Sequence, residues 1–315
     1  MHFKNNIHEI MLGDCLEKMK LISSGSVDAI ICDPPYGTVN GAELDGWDKS
    51  KTKWDTVIDH SDMLEECNRV LRKSGVLILF CQDPYTGKLM TDTHGNLPFS
   101  YRLTWLKDHF ANPLFAKKAP VNYTEDICVF FKKYDTLVQH PLREYVVKIK
   151  NYIGKNRKQI FQEMGHQGAC HFLRANTMQF SLCTEKTYLE LIELYDIDKI
   201  SGFMPYSKLK ELDSDFKNKF LPTFNLYGFN KFKSNVLNYK KDYQGLHPTQ
   251  KPVKLMEDIV RTYTNEGDLA LDFACGSGST VVACKNLKRN CIGIELNEEY
   301  CRIARNRIKD NQRTL

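Results

Sequence analysis

Asp268-Leu269-Ala270-Leu271-Asp272-Phe273-Ala274-Cys275-Gly276-Ser277-Gly278-Ser279-Thr280 is the stretch on which the fold class turns. Its first six residues have the apolar, compact character of a buried strand, Cys275 to Gly278 form a tight turn, and Ser279 to Leu287 read as a helix opened by two hydroxyl residues. About twenty residues after the turn, Asn290-Cys291-Ile292-Gly293-Ile294-Glu295 reads as a second strand ending in an acid. A strand, a glycine turn and a helix make a cradle for a nucleotide-type ligand. Gly276 and Gly278 let backbone approach it closely, and Glu295 stands where it can accept from ribose hydroxyls. The third glycine of a dinucleotide fingerprint and the Gly-Lys-Ser/Thr of a triphosphate loop do not occur here. A ligand with a ribose and no phosphates fits better.

A second strand signal lies far upstream. Val27-Asp28-Ala29-Ile30-Ile31-Cys32 is stopped at once by Asp33-Pro34-Pro35-Tyr36-Gly37, because neither proline can donate to a sheet ladder. Asp33 therefore sits at a strand's carboxyl end, the edge where open α/β sheets bind ligands. The prolines fix a rigid acceptor array: the Asp33 carboxylate and the Pro34 carbonyl can each take a hydrogen from one exocyclic amino group, leaving its nitrogen better able to attack an electrophile. Tyr36 offers a flat face to the ring that carries the amine. Stacking a base on it is worth about 1–3 kcal/mol, comparable with the few kcal/mol needed to unstack that base from a duplex. The plain alternative is an ordinary strand-to-turn junction. Read together, the two motifs point to S-adenosylmethionine, whose sulfonium carries a methyl group and a positive charge that aromatics and Asp33 favour.

In this order the motifs resemble those of the beta-class DNA amino-methyltransferases, the N6-adenine/N4-cytosine type of restriction-modification systems and phages, in which the catalytic loop comes first and the cofactor loop last. The resemblance covers residues 8–137 and 246–309. It rests on Leu12-Gly13-Asp14, Val27 to Gly37, Lys53-Trp54-Asp55, Glu125 to Phe131, and His247-Pro248-Thr249-Gln250-Lys251-Pro252 ahead of the cofactor strand. It implies a Rossmann-like class I methyltransferase fold, α/β, circularly permuted, with a mostly parallel seven-stranded sheet and a mainly helical inserted recognition domain. It also implies that Asp33, Pro34, Pro35 and Tyr36 are catalytic. Asp14 and Glu295, with Leu296 beside it, would hold the adenosine. Asp272, Phe273, Ala274, Cys275, Gly276, Ser277 and Gly278, with Asp33, Thr249 and Lys251, would surround the methionine part. One departure stands out: Ala274 and Gly278-Ser279-Thr280 occupy places where the family usually has Phe and Gly-Thr-Thr, and Phe273 comes one position early.

Composition agrees with a soluble globular enzyme: 315 residues, 42% hydrophobic and 26% charged. No apolar stretch approaches the roughly twenty residues of a membrane span, and the N-terminus lacks the apolar core of a signal peptide. The eleven cysteines then fit a reducing cytoplasm, many of them inside apolar runs where a thiol behaves as a small hydrophobe. His166, Cys170, His171 and Cys183 match no common zinc spacing, so no metal site is expected.

Periodicity gives strand, helix, strand from residue 8 to Cys32, a glycine-rich loop at 37–55 holding Trp47 and Trp54, a helix over about 56–72 and a strand at Val76–Phe80. Strands at Arg102–Lys107 and Asp126–Lys132 follow, and the sheet resumes after residue 265. Residues 146–245 differ: sixteen Lys and Arg stand against ten Asp and Glu, a net of +6 in a chain whose total is +5. Lys148, Lys150, Lys155, Arg157 and Lys158 crowd its start, with Arg174 further on, and helices are expected at 160–164, 169–178 and 184–195. A lysine face is often mere solubility. In the slot where the family keeps its recognition segment it points to phosphate contacts, which position a duplex without reading it. The expected division is a catalytic half at 1–145, a recognition insert at 146–245 and a cofactor half at 246–315.

The sequence thus predicts methyl transfer from S-adenosylmethionine to N6 of a flipped-out adenine in double-stranded DNA. N4 of cytosine is the runner-up, and a DNA-binding regulator that kept the fold without activity is a reading from another class. A homodimer and a cognate restriction endonuclease are the partners the family brings to mind.

Overall fold

In a computed structural model of the chain, residues 7–37, 57–111, 117, 120–134, 140–177, 179–219, 221–228, 231–242, 245–246 and 249–310 are described. Trp47, Trp54, His247 and Pro248 lie outside them. The chain divides into two compact units, residues 1–133 with 222–315, and residues 134–221.

The first unit is built on one eight-stranded sheet: β1 (His8–Leu12), β2 (Val27–Cys32), β3 (Leu71–Cys81), β4 (Phe99–Ala111), β5 (Asn122–Phe131), β6 (Val236–Asn238), β7 (Leu269–Asp272) and β8 (Asn290–Glu295). Their order across the sheet is β1-β8-β7-β2-β3-β5-β4-β6. The five strands from β1 to β3 run parallel, while β5 is antiparallel to both β3 and β4, and β6 is parallel to β4. The sheet is therefore mixed, with five of its seven neighbour pairings parallel, and has eight strands rather than the seven expected. The extra strand is β6, three residues inside the segment read from its charge as insert.

Alternation along each strand builds two cores. Ile31, Ile78, Phe80 and Ile127 face one way, packing with α8 (Val253–Tyr263), α9 (Ser279–Asn286) and α10 (Glu298–Asp310). Ile30, Leu77, Leu79 and Cys128 face the other, packing with α1 (Cys15–Met19), α2 (His60–Val70) and α3 (Tyr85–Thr91). Strands buried on both faces read as unbroken apolar runs, which is why Val27–Cys32 shows no alternation of polarity.

The second unit holds α4 (Arg143–Ile153), α5 (Arg157–Met164), α6 (Glu185–Tyr195) and α7 (Tyr206–Lys219) around its own core of Leu142, Val146, Ile149, Phe172, Tyr188 and Leu191. The helix expected at 169–178 is instead, over its described residues 169–177, a series of turns. Its bonds are mostly of the i→i+3 type, such as Cys170 N–H to Gln167 O and Thr177 N–H to Arg174 O, and do not propagate. The compact unit also starts earlier and ends sooner than 146–245, because its apolar core begins at Leu142 while the chain from Pro222 on returns to the sheet unit. Among the described residues no helix is long and apolar enough to cross a membrane.

Candidate active site

Four parallel neighbours, β1, β8, β7 and β2, deliver their carboxyl ends to one edge of the sheet. From β1 the chain enters Gly13 and Asp14, from β8 it leaves at Glu295, from β7 at Asp272 and from β2 at Asp33. These ends surround one cavity of about 270 Å³. It is bounded by Asp14, Asp33, Pro35, Thr249, Lys251, the turn from Asp272 to Ser277, Glu295 and Leu296. Of the residues expected at the cofactor, Gly278 alone does not line it. That residue caps α9 at φ +82°, and a Cβ there would come within 2.9 Å of the Ala304 Cβ, so its glycine serves the close approach of α10. Phe273 bounds the cavity but is 2% exposed and belongs to the core beneath.

Each acid has a defined partner set. Glu295 accepts from the Gly276 N–H at 2.9 Å through Oε2 and from the Asn297 N–H at 2.8 Å through Oε1. It thus ties the glycine turn to β8. Asp272 accepts from the Ala274 N–H at 3.2 Å and from the Thr280 hydroxyl. The turn is braced from α10 as well, by Arg307 Nη1 donating to the Ser277 carbonyl at 2.8 Å. Asp14 caps α1, accepting from the Glu17 N–H at 3.0 Å, and Asp59, also on the cavity wall, caps α2 by accepting from the Asp62 N–H at 2.9 Å.

Asp33 is held differently. Its Oδ2 pairs with Lys251 Nζ, which also lies 2.9 Å from Glu125 Oε1, and Glu125 Oε2 lies 2.7 Å from Lys107 Nζ. Lys251, Glu125 and Lys107 are buried, and Asp33 keeps 18% of its side chain exposed. Burial pushes the Asp33 carboxyl up to about 6, with Lys251 working against it. Burial alone would raise Glu125 too, but Lys251 and Lys107 outweigh it and hold that carboxyl below the usual range. Lys251 is kept charged: burial disfavours the ammonium, and the two carboxylates more than compensate. Burial likewise raises Asp272 to about 6 and Glu295 above its ordinary value.

Beside Asp33, the Tyr36 hydroxyl lies 3.5 Å from Oδ1, at the long limit of a hydrogen bond. Its half-buried ring stacks on Tyr85 with centroids 5.7 Å apart and planes 24° from parallel. Pro34 and Tyr36 flank the cavity without lining it. Sequence reasoning passed over Glu125, Lys107, Asp59, Tyr85 and Arg307. Glu125 and Lys107 carried no local signal, since each lies in a strand that holds other charges, Asp126 in β5 and Arg102 and Asp108 in β4.

The DNA candidates fall in the helical unit. Lys148, Lys155, Arg157 and Lys158 are exposed, while Lys150 and Arg174 are half-buried. Lys155 pairs with Glu163 at 2.7 Å, and Arg174 donates to the Gln179 side chain. The histidines set aside as metal ligands are engaged elsewhere: His166 contacts Glu190 at 2.8 Å and His171 the Gln179 carbonyl at 3.0 Å.

An α/β sheet that brings a glycine turn and the Asp33-Pro34-Pro35-Tyr36 loop to one cavity has the architecture of a class I methyltransferase. The N6_N4_Mtase family, described as DNA methylase, matches residues 27–306, and the chain belongs to it. The chain is 28% identical over 309 residues to the DNA adenine methyltransferase YhdJ of Escherichia coli K12, covering 97% of this chain and 84% of that one. It is 22% identical over 300 residues to the Type II methyltransferase M.HpaI of Haemophilus parainfluenzae, covering 95% and 73%. Among solved structures it resembles the M1.HpyAVI–SAM complex at a TM-score of 0.54 and 20% identity, covering 95% and 98%. A DNA methylase needs a methyl donor, and the cavity suits S-adenosylmethionine. Its wall carries Asp33, Asp272, Glu295, Asp14 and Asp59 against Lys251, an acidic lining for a cationic ligand with ribose hydroxyls.

Proposed function

We propose that the protein transfers a methyl group from S-adenosylmethionine to N6 of an adenine extruded from double-stranded DNA, in the permuted beta-class arrangement. The observation that carries this reading is the meeting of Asp33 and the Asp272–Ser277 turn in one cavity. S-adenosylmethionine supplies an electrophilic methyl whose bond to sulfur breaks, the electron pair staying on sulfur, as the new bond to nitrogen forms.

The chain's own groups prepare the nitrogen. With Oδ2 committed to Lys251, Asp33 offers Oδ1 to one amino hydrogen and the Pro34 carbonyl takes the other, which directs the lone pair out of conjugation with the ring. Tyr36, backed by Tyr85, stacks on the extruded base. The proton released after transfer passes to Asp33, whose carboxyl is poised near 6. Asp272, Glu295 and Asp14 hold the donor, and the exposed Lys148, Arg157 and Lys158 meet the phosphate backbone.

Asp rather than Ser before Pro34-Pro35-Tyr36 supports adenine, as does the name of the relative YhdJ. Cytosine N4 is the second reading, since the family joins N6 and N4 methylases and both targets are exocyclic amines beside a ring nitrogen. The Type II name of M.HpaI supports a restriction-modification setting. Purified protein incubated with tritiated S-adenosylmethionine and unmodified plasmid DNA, then digested to nucleosides for mass spectrometry, separates these outcomes. N6-methyladenine in the digest is expected, N4-methylcytosine would replace the target, and donor binding without labelled DNA would overturn the proposal.

A further inference from the structure

The charged row at the sheet's edge runs across neighbouring strands. Asp33 follows β2, Lys251 lies over the Phe80 ring of β3 at 5.0 Å, Glu125 sits near the start of β5, and Lys107 on β4 lies 5.0 Å from the Trp105 ring. These four strands are adjacent in the order β2-β3-β5-β4. Because β5 runs antiparallel to β3 and β4, its early residues meet their late ones: Cys81 is opposite Asp126 and Trp105 opposite Glu125. Two carboxylates and two ammoniums alternate, so the row is neutral as a whole and every member has an opposite charge beside it. Buried charges persist only on that condition.

We infer that Glu125, braced by Lys107, is a positioning residue for methyl transfer: it shares the Lys251 ammonium, so that Lys251 fixes Asp33 through Oδ2 alone and leaves Oδ1 turned to the acceptor amine. Without Glu125, the ammonium has a single buried carboxylate to pair with, and both oxygens of Asp33 become its targets. The acceptor oxygen is then lost to the lysine. This rests on the methyl-transfer reading of Asp33.

The test is a pair of variants in the full-length protein, Glu125→Gln and Lys107→Gln, measured for kcat, KM and donor affinity across pH. The charged groups facing Asp33 are Lys251 directly, Glu125 and Lys107 along the row, and Asp272 across the cavity, with the Tyr36 hydroxyl beside Oδ1. Removing the negative charge of Glu125 is expected to lower kcat by about 10–100-fold, with donor affinity changed far less, and to move the acid limb of the kcat profile to lower pH. Removing the positive charge of Lys107 moves that limb to higher pH. Shifts of opposite sign are what a purely structural role does not produce. If one variant fails to fold, the direction of the other still decides. Active variants whose acid limbs stay at the wild-type position, or move the same way, overturn the inference while leaving the methyltransferase reading intact. A wild-type protein that binds donor and never labels DNA overturns the reading itself.

Discussion

Asp33 is fixed by a lysine 218 residues away in sequence, and Glu295 by amides of two separate segments. In the helical unit, by contrast, Lys155 pairs with Glu163 eight residues on and Lys208 with Glu211 three residues on, while Lys148, Arg157 and Lys158 face solvent. The difference is one of dielectric. At the sheet's edge water is largely excluded, so each charge needs a partner already in place. On the helices water satisfies the cations, exposed pairs contribute about 0–1 kcal/mol, and the lysines stay available to a polyanion. Under the proposed function, chemistry belongs to the first environment and charge attraction to the second.

The largest expected effect comes from breaking the first environment at its reactive end. Asp33→Ala removes the proposed acceptor and should cost about 10³-fold or more in kcat, with DNA binding retained; a variant still methylating within tenfold of wild type would separate Asp33 from the chemistry. Glu295→Gln is next. Both Glu295 oxygens accept backbone N–H groups, so the amide must turn an NH₂ toward a donor, and a broken hydrogen bond to a buried charged group costs about 1.5–3 kcal/mol. Donor affinity is expected to fall about 10–100-fold, read by titration calorimetry, while kcat at saturating donor changes less.

The same contrast explains what the sequence disclosed. The place of Glu295 beside the glycine turn was legible because it follows from a local pattern, a strand, a glycine turn and an acid at fixed spacing. Asp33 was legible because two prolines stop β2 next to it. Glu125 and Lys107 were not read as site residues, since their meaning depends on β5 running antiparallel beside β3, a pairing that no local periodicity encodes. The charge of residues 222–241 joined them to the insert, although β6 returns there to pair with β4. Charge tracks solvent, whereas a unit's limits track burial. The turns at 169–177 mislead for a related reason: Ala169, Phe172, Leu173 and Ala175 are buried as a helix face would be, but the short-range bonds there close as turns.

The buried acids also make donor uptake sensitive to pH. Asp33 and Asp272 have carboxyls raised to about 6, above the unfolded value of about 3.9. Between those values the folded protein binds more protons than the unfolded one, so their contribution favours the fold at low pH and is lost as pH rises through about 6. A cationic donor stabilises the ionised carboxylates and lowers those values. Binding near pH 6 should therefore release protons, and near pH 8 almost none. Calorimetric titrations with S-adenosylmethionine in buffers of different ionisation heat measure this directly; equal proton release at both pH values would show that neither acid senses the donor's charge.

The smallest effects belong to the helical unit, where they test whether its charge acts as a field. Lys148, Arg157 and Lys158 are exposed, so replacing any one by Ala should weaken DNA binding only a few-fold, equally for cognate and unrelated duplexes. Each loss should lower the salt slope of the binding constant by about one, the signature of one phosphate contact. Lys155 is the internal control. Its ammonium is already shared with Glu163 and lies 5.3 Å from the centre of the Tyr195 ring, so Lys155→Ala should change the slope less than its neighbours do. Fluorescence anisotropy against salt concentration reads all four. Equal slopes for every variant would mean that the duplex is held elsewhere, whereas a change confined to one sequence would turn a phosphate contact into a base contact.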